Sequence, residues 1–300
     1  MNTYLPLTYQ LSLPSIDLSE GSELAFGDAF LRAAKILHQH LEQIESAIGV
    51  IKDFTKEPFN MAILGLFSKM SSHYYSYVFL EIHHDRLGSK FLLENLSEAA
   101  ITLIYLLEEV DKSLFSEYIS ASVQQARYLL IDVEKQLNKF PTHPDLCILR
   151  DKLEAFISNE QHASKQLTTD SDYLWGPHEA DTTAKRGAVI GLNFLSDPAR
   201  QLALRVMPAS WLDIQLSYVD SLDKNPTKAQ PGINFTCLRD AAHLCLHATQ
   251  AFLEEVANYQ DVESADIERQ QQLLNVIYEW FYNAHDVYQL QSATIQERRV

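Results

Sequence analysis

The chain has 300 residues, 46% of them hydrophobic and 21% charged, with only 9 Gly and 10 Pro. This composition is ordinary for a soluble globular protein, and the scarcity of Gly and Pro favours long helices over turn-rich β structure. Forty acidic residues against 24 basic ones give a formal charge of −16, which repels phosphate backbones and disfavours broad nucleic-acid binding.

The N-terminal MNTYLPLTYQ lacks the basic and apolar regions of a secretory signal. No apolar run reaches the roughly 20 residues needed to span a bilayer. Cys147, Cys237 and Cys245 form no CxxC pair. A sparse, odd set of this kind points to reduced thiols and a cytoplasmic setting.

Residues 1–21 read as an N-terminal extension, with a short strand at residues 4–7 that Pro6 weakens. A first helix is predicted from Ser22 to about Asp53, with Ala29, Ala33, Ile36, Leu37, Leu41, Ile44, Ile48 and Ile51 at helical spacing. Pro58 opens a second helix, expected to run to Gly88. The third, Phe91 to about Asp111, is the most apolar. Glu94, Glu98, Thr102 and Tyr105 form one narrow stripe on it at about 100° per residue. That stripe is either a solvent strip or a buried polar site.

A fourth helix is expected from Ser113 to before Pro141, and a fifth from Pro144. Residues 164–181 form the largest irregular stretch. A sixth helix begins at Thr182 or Thr183, a seventh at Asp197-Pro198 and an eighth at Ser210. Two more cover about 234–258 and 262–293. The pattern predicts an all-α fold, a large bundle of about ten helices. Residues 22–300 are expected to form one domain, near the upper limit of roughly 250 to 300 residues for one core. Two packed layers also fit, and 164–181 is the candidate subdivision.

Four patterns carry candidate chemistry. Glu81 and His84 form a Glu-x-x-His pair, which can place a carboxylate and an imidazole on one helix face for a metal. Glu94 and Glu98 could add carboxylates, but a second Glu-x-x-His is missing and a polar helix end explains the pair equally. His243 and His247, at i and i+4, have metal-ligand spacing, but Leu244 occupies the position where HExxH enzymes carry Glu. Arg32 and His38 form Arg-x5-His, the spacing in which an Arg binds phosphate and a His acts as acid/base. The alternative is an ordinary solvent face. Trp175-Gly176-Pro177-His178 lies in the long loop, where Trp175 and His178 can shape a pocket or anchor the loop. A polar cluster of Glu94, Glu98 and Tyr105 with Arg86, a structural ion-pair partner for a buried Glu, is the alternative to any metal reading. The sequence implies no particular cofactor. It contains no P-loop, dinucleotide fingerprint or G-x-S-x-G.

Leu92–Glu109 (LLENLSEAAITLIYLLEE), and the run from Tyr173-Leu174-Trp175 through Leu204-Arg205 to Ser210-Trp211-Leu212-Asp213-Ile214, resemble a family of helical bacterial proteins of unknown function. That family is distantly similar to the HEPN group (higher eukaryotes and prokaryotes nucleotide-binding). The resemblance implies an all-α fold, a bacterial cytoplasmic setting, association with stress or phage defence, and binding positions at Arg205 and Trp211. Arg205 to Trp211 is shorter than the family pattern and lacks its His.

Three functions follow as expectations. The first is a helical interaction protein, bound to a protein partner or to a second copy of itself; the run His73-Tyr74-Tyr75-Ser76-Tyr77 fits a partner surface and fits a core. The others are a HEPN-like effector on RNA or nucleotides, and a metal-dependent enzyme using Glu81, His84, Glu94 and Glu98.

Overall fold

A computed structural model of the chain describes residues 12–15, 23–51, 54–83, 86–108, 113–160, 183–192, 235–259 and 264–297. The described residues hold eight α-helices, one short 3-10 helix and no strand. In chain order the helices are α1 (Glu23–Gly49), α2 (Pro58–Ile82), α3 (Arg86–Glu108), α4 (Ser113–Leu137), α5 (Pro144–Glu160), α6 (Thr183–Val189), α7 (Phe235–Val256) and α8 (Ser264–Glu297). The all-α expectation holds, with eight described helices in place of about ten. The strand at residues 4–7, the loop 164–181 and the helices expected near 197 and 210 lie outside the described residues.

The chain divides into two compact units, Met1–Glu108 with Ile190–Val300, and Glu109–Val189. In the first, α2 packs against α1, α3, α7 and the 3-10 turn Phe54–Lys56, and α7 touches α1, α2, α3 and α8. In the second, α4 packs against α5.

Local chemistry explains most helix limits. α2 starts with Pro58 at its first position, where a missing N–H costs nothing. It ends at Ile82 rather than Gly88. The His83 amide turns back to the carbonyls of Phe79 and Glu81, and α3 begins at Arg86. Histidine is a modest helix former, and the helix gives way at His83, ahead of the glycine. α1 stops at Gly49, and the chain then turns through Ile51, whose amide donates to the Ile48 carbonyl at 3.0 Å. Asn60 is buried and ties the 3-10 turn to α2, donating to the Phe54 carbonyl at 3.0 Å and to the Tyr259 hydroxyl.

The first unit's core is aromatic. Phe67 stacks on Phe252 with centroids 4.5 Å apart, and Phe54 meets Phe252 edge-on at 6.0 Å. Phe30 gathers Phe235, Trp280 and Phe281 around it at 5.1 to 5.9 Å. α7 buries Phe235, Leu238, Ala241, Ala242, Leu244, Cys245, Leu246, Ala248, Phe252, Leu253 and Val256. By its neighbours, α7 is a hub of this unit, touching four other helices; the most apolar helix by sequence is α2, not α3 as expected.

Candidate functional site

The polar stripe of α3 divides along its length. Glu94 and Glu98 face water, whereas Thr102 and Tyr105 are buried. Every residue from Ala99 to Leu106 is buried, so this stretch of α3 is enclosed on all sides. The two glutamates therefore have no burial to offset, and Tyr105 belongs to the core. Glu81 is buried on α2 and His83 is exposed. His84 and the Arg86 side chain lie outside the described residues, as do Trp175, His178, Arg205 and Trp211. Among the described residues, no group of three or more His, Cys, Asp and Glu is placed to hold a metal ion.

Arg32 and His38 take different surroundings on α1. Six residues apart, they diverge by about 120° around the axis. Arg32 is exposed and its Nε donates to the Asp28 carbonyl at 3.3 Å. His38 is half-buried, 3.4 Å from Glu42, and lies over Tyr75 with ring centroids 4.6 Å apart. Burial pulls the His38 imidazole below its usual range, against the opposing pull of Glu42 and Glu45.

His243 and His247 share a neighbour that the sequence does not announce. The Tyr278 ring on α8 stacks on His243 at 4.5 Å and meets His247 edge-on at 5.9 Å. One aromatic ring thus packs on both imidazoles of the i, i+4 pair. Burial, reinforced by Arg239, lowers the His243 pKa to about 4, which keeps the ring neutral.

One turn away, Arg239 binds Asp240 Oδ1 through Nε at 3.0 Å and Nη2 at 2.6 Å. Its Nη1 donates to His285 Nδ1 at 2.8 Å. A guanidinium can only donate, so His285 accepts at this contact; its Nε2 lies 3.3 Å from both the same Arg239 Nη1 and the Thr236 hydroxyl. Burial and Arg239 both lower the His285 pKa, in keeping with a neutral acceptor. The charge of Arg239 is matched by Asp240, and the network ties α7 to α8. Its members come from positions 46 residues apart, a distance at which sequence periodicity says nothing.

The feature that remains open is the outer strip of α2. Its inner faces bury Ile63, Leu66, Phe67, Met70, Tyr74, Tyr77 and Val78. The outer strip, Met61, Gly65, Ser68, Ser72, Tyr75, Phe79 and His83, is exposed apart from half-buried Ser68. Met61, Tyr75 and Phe79 leave 50%, 52% and 47% of their surface in water. The rings form a ladder: His38 to Tyr75 at 4.6 Å, Tyr75 to Phe79 at 6.5 Å, and Phe79 to His83 at 4.4 Å. The aromatic run His73–Tyr77 is thereby shared, with Tyr74 and Tyr77 in the core and Tyr75 on the outer strip. Lys69 and Glu81 are the only charged residues among the 25 of α2, well below the 21% of the whole chain, and Glu81 is buried. That shortage of charge was legible in the sequence; which side of the helix it served was not.

Comparison of the chain with protein-family models, with curated proteins and with solved structures finds no match in any of the three.

Proposed function

We propose that this chain is a cytoplasmic helical interaction protein that engages a protein partner through the outer strip of α2. The observation that carries the reading is the pairing of exposed Tyr75 and Phe79 with a helix surface that bears one exposed charge, Lys69. Protein interfaces are distinguished by aromatic and Met enrichment and by depletion of charge at their centre. Tyr and Phe offer large contact area for two rotatable bonds each, and Tyr75 is further held by the His38 ring. Among the described residues no helix is long and apolar enough to cross a membrane. Three free cysteines suit a reducing compartment. An effector acting on RNA through Arg32 and His38 is less well supported, because those side chains diverge on α1 and the net charge opposes phosphate.

A photo-crosslinking residue in place of Phe79, introduced in the living cell, tests this. The expected outcome is one dominant crosslinked protein species, absent when the probe replaces exposed Ile148 on α5. Equal, diffuse labelling from both positions overturns the reading.

A further inference from the structure

The occupant of the α2 strip can be read from the strip itself, given that the strip is an interface as proposed above. We infer that it is the same strip of a second copy of this chain, lying antiparallel across a two-fold axis at the level of Met70. Three observations carry this.

The first is spacing. Met61, Gly65, Ser68, Ser72, Tyr75 and Phe79 alternate by four and three residues, the register in which one helix lies along another. The second is size. In a two-fold pair, residues equidistant from position 70 meet: Met61 faces Phe79, Gly65 faces Tyr75, and Ser68 faces Ser72. Each large ring meets a glycine or a flexible thioether, and the small residues meet at the centre. Among the described residues, a Cβ placed on Gly65 would touch nothing within 4 Å, and Gly65 is exposed, so the space above it is open to a ring from outside. No contact among the described residues gives this mid-helix glycine a reason, and glycine is a poor helix former. A methionine against an aromatic edge is a favourable contact. The third is charge. Two copies of a chain carrying −16 can meet closely only where their surfaces carry no acid, and the strip has none. Lys69 falls beside the axis, where its two copies approach; its long stem lets both ammonium groups turn outward.

The test is sedimentation equilibrium of the full chain up to about 100 μM, with Gly65→Arg and Tyr75→Ser variants and with circular dichroism as the check on folding. Because the space over Gly65 is open, Gly65→Arg leaves the monomer folded. Wild-type dimers are expected, with dimer affinity lowered roughly tenfold or more by either variant and raised by Lys69→Gln. A wild-type chain that stays monomeric throughout, or dimers indifferent to both Gly65→Arg and Tyr75→Ser, overturns it. If the chain is monomeric while the probe at Phe79 still captures one different protein in cells, the interaction reading stands and the self-pairing fails. If the probe captures nothing specific and the chain is monomeric, both fail.

Discussion

At the scale of single residues, the buried histidines set how the protein responds to acid. His40 is enclosed on α1, its Nε2 has no hydrogen-bond partner among the described residues, and burial pulls its pKa to about 4. In the fold the ring is neutral down to that pH, whereas in the unfolded chain it protonates below about 6.5. The unfolded state therefore binds more protons between these values, so stability is complete above pH 6.5 and falls as pH drops toward 4. The loss from His40 alone is about 2 kcal/mol by pH 5 and approaches about 3 kcal/mol below pH 4. Urea midpoints at pH 7.5 and pH 5 measure it, and His40→Leu should remove a large part of the difference. An equal pH dependence in His40→Leu and wild type would place the acid sensitivity elsewhere.

At the scale of helices, burial separates elements that look alike in sequence. α7 is central to its unit and α5 has no buried residue among those described. Phe252, fully buried and stacked on Phe67, should cost about 3–5 kcal/mol when replaced by Ala. Ile148, exposed on α5, should cost within about 0.5 kcal/mol on the same substitution. Denaturant unfolding of the two variants compares them directly, and equal losses would refute the assignment of α7 as hub. Helix existence was legible because apolar residues recur at 3.6 spacing: Ala29, Ala33, Leu37, Leu41, Ile44 and Ile48 are all buried on α1. Centrality was not legible. α3 is more apolar, yet its first half faces water at Glu94 and Glu98, while α7 carries Arg239, Asp240, His243 and His247 and still packs against four helices. A period fixes which residues share a face, and only the surrounding elements fix whether that face is covered. The same limit applies to α2. Its aromatic run His73–Tyr77 fits a core and a partner surface alike, and only the neighbouring elements decide that Tyr74 and Tyr77 are buried while Tyr75 stands in water.

At the scale of the whole molecule, charge and burial act on stability in opposite directions as pH falls, and salt separates them. With −16 at neutral pH and a pI near 5.0, the folded chain repels itself most at pH 7.5 and hardly at all at pH 5. Lowering pH thus relieves repulsion while it penalises the buried imidazole of His40 and the half-buried one of His243, each with its pKa lowered to about 4, by burial and, at His243, also by Arg239. Salt screens the first effect, since the Debye length shrinks from about 30 Å at 0.01 M to about 3 Å at 1 M, but it hardly reaches groups enclosed in the core. Adding sodium chloride should therefore raise the thermal midpoint at pH 7.5 and leave it nearly unchanged at pH 5. Stability lost between those pH values should not return at high salt. A thermal-melt grid over pH and salt reads both slopes. If salt restores the pH 5 midpoint to its pH 7.5 value, surface charge rather than the desolvated histidines governs the acid response.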